Sequence, residues 1–269
     1  MISLNSLKKF KAEGRKFSCL TCYDASMAKA LEIAEVDSIL IGDSLGMTIQ
    51  GRDSTLPVTV ADMAYHTAAV RRGNNHAFIM TDLPFMSYAT LNDALQSAKV
   101  VMQAGAQMVK VEGGAWLSET VQVLTRNGIP VCVHLGLTPQ SVHVFGGYKV
   151  QARTRDAADQ LIADCDAVVE AGAALLLLEC VPAQVGKEIA ARYPHIPVIG
   201  IGAGVETDGQ VLVVQDMLGL NFGHTAKFVR NFMHEQSGAT AILDAFKAYH
   251  AAVLDQSFPA PEQTFQIEL

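Results

Sequence analysis

The sequence predicts a (β/α)8 barrel, a closed ring of parallel strands wrapped by helices. Three observations carry that expectation. Eight short apolar runs recur along the 269 residues, segments with helical spacing separate most of them, and four of the runs close on an acidic residue. Strands of a parallel sheet covered on both faces read as near-continuous Val, Ile and Leu, and functional polar groups collect at their carboxyl ends. Short crossovers, with no run that reads as an edge, favour closure over an open doubly wound sheet.

The runs fall at 17–23, 38–42, 78–82, 108–112, 130–135, 174–179, 197–201 and 211–215. Asp24, before Ala25-Ser26-Met27, reads as a helix N-cap and is left out of the site. Leu91, Ala94, Leu95, Ala98 and Met102 share one helical face, and Thr90-Leu91-Asn92-Asp93 starts it in the manner of a capping box. Residues 118–127 end at Gly128, with Pro130 beyond. Ala157, Leu161, Ile162, Cys165, Val168 and Val169 repeat the helical period until Gly172. About nine residues, 202–210, join the last two runs, too few for a full crossover helix. A final amphipathic helix carries Ile242, Phe246, Tyr249 and Val253. Residues 1–269 are read as a single barrel domain, with a capping helix at about 4–13 and a C-terminal arm at about 258–269.

Half the residues are apolar and 17% are charged, which suits a compact globule. A net charge of -7 with scattered Lys and Arg argues against a nucleic-acid surface. No run approaches the ~20 apolar residues that span a bilayer, so no membrane is expected. The first sixteen residues contain nothing resembling a secretory signal. Five cysteines, mostly in or beside the runs, point to reduced thiols and a cytoplasmic location. Cys19 and Cys22 lack the second ligand pair of a zinc site and are assigned to the core.

Asp43, Asp82, Glu112 and Glu179 end four of the runs, so the barrel would bring four carboxylates to one rim. Crowded carboxylates repel, and a hard, oxygen-seeking cation is the natural partner. Lys110 and Glu112 are two residues apart on one strand and must point to the same side. A buried Lys–acid pair that only satisfies itself is the competing reading, but such pairs are seldom chosen for stability. Asp43 and Asp82 lie on neighbouring strands, where two carboxylates with substrate oxygens and water suit Mg2+. A helix-capping role is weak for Asp82, because Pro84 follows and the next helical pattern begins near Leu91. Glu179 closes the most apolar run, where desolvation favours the protonated carboxyl and suits a general base. His134 reads first as a hydrogen-bonding residue and second as a ligand. Gly200, Gly202 and Gly204 read as tight-turn glycines, not a phosphate-binding loop.

Read together, the strings DSLGM, GRDSTLPVT, TDLPFMSY, VKVEGG, HLGLTPQSVHVFGGYKVQ, LLLLEC, IPVIGIGAG and DGQVLVVQDMLGL resemble the ketopantoate hydroxymethyltransferase family, from about residue 17 to about 232. The resemblance implies a barrel of the phosphoenolpyruvate/pyruvate type, one Mg2+ per subunit, 5,10-methylenetetrahydrofolate as one-carbon donor and a homo-oligomer, commonly a decamer. The implied reaction moves a hydroxymethyl group to 3-methyl-2-oxobutanoate, giving ketopantoate for pantothenate synthesis through an enolate stabilised by the metal. By position, the resemblance makes Asp43 and Asp82 metal ligands, with Glu112 joining directly or through water. It assigns Asp43, Ser44, Asp82 and Lys110 to the oxo acid and Glu179 to proton acceptance. Two positions depart from the family pattern: Pro is usual at Ala226 and Gly at Ala152. No motif marks the folate pocket; Leu45, Met47 and Val205 are rim candidates. The rival readings are a Mg2+-dependent 2-oxo-acid lyase or mutase on the same barrel, whose Lys-Lys-Cys-Gly-His string is absent, and a non-catalytic binding or scaffold protein.

Overall fold

The computed structural model describes residues 1–223 and 225–266. Eight parallel strands close in sequence order: β1 Phe17–Thr21, β2 Ser38–Ile41, β3 Phe78–Asp82, β4 Met108–Glu112, β5 Val131–Gly136, β6 Leu175–Glu179, β7 Val198–Ile201 and β8 Gly209–Leu212. β8 returns to β1, with Phe17 opposite Gly209. The predicted barrel is therefore the observed one.

The strand calculus of the sequence slipped at β8, which begins two residues earlier than expected, while Val214–Met217 is a helical turn. Gly and Gln are poor strand formers, so Gly209 and Gln210 gave no signal. Pairing decides instead: Gly209 and Gln210 register with Ile199 and Gly200 on one side and with Phe17 and Ser18 on the other. A Cβ on Gly209 would lie 2.5 Å from the Phe17 ring, so the close pairing requires glycine.

Helices occupy the expected crossovers, including Leu91–Gln103, Ser118–Arg126 and Arg155–Glu170. Thr90 caps the first of these by accepting from the Asp93 N–H, and Asp24 caps Ala25–Ile33 by accepting from the Met27 N–H. Ala94, Ser97, Ala98 and Val101 form the buried stripe of Leu91–Gln103. No helix separates β7 from β8. The helix Ala241–Leu254 packs on β1, where the single Tyr249 O–H is shared between Cys19 O (2.9 Å) and Gln210 O (2.8 Å) and so clips β1 to β8. All five cysteines are free and buried, and burial pushes the Cys19 and Cys22 thiols up to about 12, as core packing requires.

At the amino ends of the strands, the helix Leu4–Ala12 is tied down by Lys11, whose Nζ donates to Asp208 Oδ2 (2.7 Å) and Ala190 O (2.9 Å). At the carboxyl ends the C-terminal arm returns to the barrel, with Ala183 N donating to Phe265 O (2.8 Å). The arm's last residues, 267–269, lie outside the described residues. Among the described residues no helix is long and apolar enough to cross a membrane.

Candidate active site

Strand pleating and register assemble the charged cluster. Lys110 and Glu112 alternate onto the same face of β4, Asp82 pairs with Lys110, and Glu112 pairs with His134 on β5. Lys110 Nζ consequently lies 3.1 Å from Asp82 Oδ1, 3.3 Å from Glu112 Oε1 and 3.1 Å from His134 Nδ1. His134 Nδ1 is 3.1 Å from Glu112 Oε1, and its Nε2 is 3.3 Å from Glu179 Oε2. His134 thus bridges the two glutamates, a role its strand-end position alone did not specify.

Asp43 and Asp82 meet as neighbouring strand ends should: Asp43 N donates to Asp82 Oδ2 at 2.9 Å. Ser44 Oγ is 2.8 Å from Tyr23 Oη. Two further residues complete the cluster and were not foreseen. Gln140, on the segment after β5, donates from Nε2 to Asp43 Oδ2 (2.8 Å) and Leu83 O (3.0 Å), while its backbone N donates to Glu112 Oε2 (2.9 Å). Tyr88 Oη donates to Gln140 Oε1 at 2.5 Å. The buried Gln140 amide is thereby fully engaged and holds carboxylates from β2 and β4 in fixed orientations.

Burial is the first influence on every charge here. It raises the Asp43 carboxyl well above the usual range, reinforced by the charges of Asp82 and Glu112. Asp82 is also raised by burial, against the pull of Lys110. For Glu112 burial is outweighed by Lys110, His134 and the Gln140 N–H, which hold it down to about 2. Burial would discharge Lys110, yet Asp82, Glu112 and Asp43 raise it well above its ordinary value and keep it charged. His134 is raised because Glu112 and Glu179 outweigh burial and the nearby ammonium.

Glu179 departs from the enclosed apolar setting that its own strand suggested. Its side chain is 15% exposed and faces His134, because β5 sets the neighbours of β6. It opens into a cavity of about 750 Å³ that Asp43, Ser44, Asp82, Lys110 and Glu112 also line. All six of the predicted site residues therefore share one cavity. Of the three rim candidates, Met47 lines it, Leu45 is fully buried elsewhere in the core, and Val205 borders a separate hollow beside Ala183.

The ketopantoate hydroxymethyltransferase pattern matches residues 1–261. Over 269 residues, covering 100% of both chains, the protein is 85% identical to the 3-methyl-2-oxobutanoate hydroxymethyltransferase of Acinetobacter baumannii (strain AYE). The chain belongs to the ketopantoate hydroxymethyltransferase family. It is an enzyme of the hydroxymethyltransferase class. Among solved structures it resembles phosphonopyruvate hydrolase in complex with oxalate and Mg2+, with a TM-score of 0.61 at 10% identity, covering 97% of this chain and 100% of the other. It also resembles 2,3-dimethylmalate lyase, a PEP mutase/isocitrate lyase superfamily member, with a TM-score of 0.56 at 15% identity, covering 82% of each chain. At such identities the likeness is one of fold, and it matches the closed eight-stranded barrel seen here.

Ketopantoate hydroxymethyltransferase chemistry raises the question of a metal. Among the described residues, no group of three or more His, Cys, Asp or Glu side chains stands as a ligand set. Glu112 spends both oxygens on Lys110, His134 and Gln140. Asp43 and Asp82 do fit a hard cation: both are buried oxygen donors beside the cavity, and Asp82 Oδ1 has the Lys110 ion pair as its one contact among the described residues.

Proposed function

We propose that this chain transfers a hydroxymethyl group from 5,10-methylenetetrahydrofolate to 3-methyl-2-oxobutanoate, giving 2-dehydropantoate (ketopantoate) for pantothenate biosynthesis. The supporting observation is a surplus of buried carboxylates beside Lys110, with Glu179 open to the same cavity. In this reading Asp43 and Asp82 hold Mg2+ and Glu112 joins through water, since its own oxygens are engaged. When bound, Mg2+ supplies positive charge to the oxo acid's carboxylate and keto oxygens, an effect worth several kcal/mol in such sites. Lys110 and Ser44 hold the oxo acid on the substrate side. Glu179 takes the C3 proton, and His134, 3.3 Å away, orients that carboxylate. Negative charge then moves from C3 onto the keto oxygen; water gives its oxygen to the folate-borne carbon and its two protons to the two folate nitrogens, breaking both C–N bonds and releasing formaldehyde and tetrahydrofolate, and C3 bonds to the formaldehyde carbon, whose oxygen takes the proton held by Glu179.

The same reading takes residues 1–269 as one barrel domain of a cytoplasmic homo-oligomer, a decamer. Its support is membership of the ketopantoate hydroxymethyltransferase family, and sedimentation of the purified protein tests the oligomer number. The catalytic proposal is tested by assaying ketopantoate formation with and without Mg2+ and the folate donor. Turnover that needs both is expected, lost on chelation and restored by Mg2+. Cleavage of an oxo acid without folate would replace this reading by a lyase, and no turnover of any oxo acid by a binding protein.

A further inference from the structure

The cavity is much larger than a five-carbon oxo acid needs, and the carboxylate cluster occupies one wall of it. β8 lies opposite β4 in the closed ring, so the facing wall comes from the segment after β8 and from the returning C-terminal arm. Asp216, Lys227, Phe228 and Phe265 line that wall, and the catalytic reading above assigns none of them a role. Phe228 and Phe265 are seated together over the end of β7: a Cβ on Gly202 would meet their rings at 2.9 Å and 3.1 Å. Lys227 Nζ donates to Thr264 O (2.7 Å) and lies 5.3 Å from the Phe265 centroid, which holds its charge at the mouth.

Asp216 differs from the carboxylates it faces. It is partly buried on the turn Val214–Met217, its Oδ1 accepts from Asn221 Nδ2 (3.0 Å), and among the described residues no cation pairs with it. A carboxylate that shares one cavity with two aromatic rings and a lysine matches the parts of a folate. The 2-amino-4-oxo edge of a pterin offers two adjacent N–H donors that a carboxylate accepts side by side. Its flat ring packs on aromatic faces, and the glutamate tail is anionic and suits lysine.

Resting on the folate reading above, we propose that Asp216 anchors the pterin edge of the one-carbon donor, in a donor site walled by Phe228 and Phe265 and closed at the tail end by Lys227. The donor then faces the oxo acid across the cavity.

The test compares wild-type protein and Asp216→Asn in Mg2+-supplemented turnover, using 5,10-methylenetetrahydrofolate and its analogue lacking the 2-amino group. Asp216→Asn should raise KM for the donor about 10- to 100-fold, the loss expected when a charged hydrogen-bond partner is removed. KM for the oxo acid should not move. The wild type should discriminate against the analogue by a similar factor, and the variant should lose that discrimination. The wild-type comparison decides the matter even if the variant fails to fold. Folate-dependent turnover by a wild type that accepts both donors equally, or an unmoved donor KM in the variant, overturns this proposal alone. No folate-dependent turnover by the wild type removes the folate reading with it.

Discussion

Both ends of the barrel are lined with charged side chains, yet only one end is balanced. At the amino ends Asp37 meets Arg15 (2.8 Å) and the Ser18 N–H (3.0 Å), and Asp208 meets Lys11 (2.7 Å) and the Val198 N–H (2.8 Å). Each carboxylate there has its own cation and a backbone donor. At the carboxyl ends Asp43, Asp82 and Glu112 share the single ammonium of Lys110 and the imidazole of His134. Balanced pairs lock the Leu4–Ala12 side of the fold, whereas the unbalanced cluster carries repulsion that a ligand can relieve. The difference separates charge used for stability from charge held for chemistry.

The comparison breaks most sharply at Glu179. Glu179→Gln should slow exchange of the oxo acid's C3 proton by about 10²- to 10⁴-fold while leaving oxo-acid binding intact. Undiminished exchange, followed by NMR in deuterated buffer, removes Glu179 from the base role. At the other end, Asp37→Ala leaves Arg15 without its buried partner and should cost about 3 to 5 kcal/mol in urea unfolding. Activity per folded molecule should hold; a matching loss of kcat would mean that the ends are not separate in function.

A smaller effect, of opposite sign, is expected for Asp43→Asn in chelator. A carboxyl raised by folding stabilises the protein fully below its ordinary value of 3.8, and that contribution is lost as pH rises through the folded-state value. The uncharged amide removes that loss. The variant should therefore gain about 1 to 2 kcal/mol near neutral pH, with the gain vanishing as pH falls toward 3.8, and should be inactive. A destabilised variant at neutral pH would show that the carboxylate cluster is not in surplus. The smallest effect concerns Ala152, which holds φ +52°, a left-handed conformation that favours Gly. Ala152→Gly relieves the left-handed strain at some cost in unfolded-chain entropy, for a net gain of about 0.5 to 1 kcal/mol by thermal unfolding.

Much of the site was legible because its residues end strands. Asp43, Asp82, Lys110, Glu112 and Glu179 each follow from an apolar run and a period of two, with no partner needed to find them. Gln140 and Tyr88 were invisible for the opposite reason: a loop glutamine and a tyrosine carry no pattern, and their roles exist only through hydrogen bonds to other segments. The setting of Glu179 was misjudged from its own strand because His134, on the next strand, supplies the neighbour. Leu45 and Val205 failed as rim candidates since nearness in sequence to a strand end does not set which way a side chain faces.

By itself the sequence determined the eightfold alternation, the direction in which each strand presents its acid, and the missing helix between β7 and β8. Those are local properties, written in periodicity and in the chain length available for a crossover. Only the tertiary structure decided which charges touch, that β8 begins at Gly209, and that a distant C-terminal arm brings Phe265 to the wall facing the carboxylates. Contacts between segments far apart in the chain depend on register and closure, and no stretch of sequence read alone contains them.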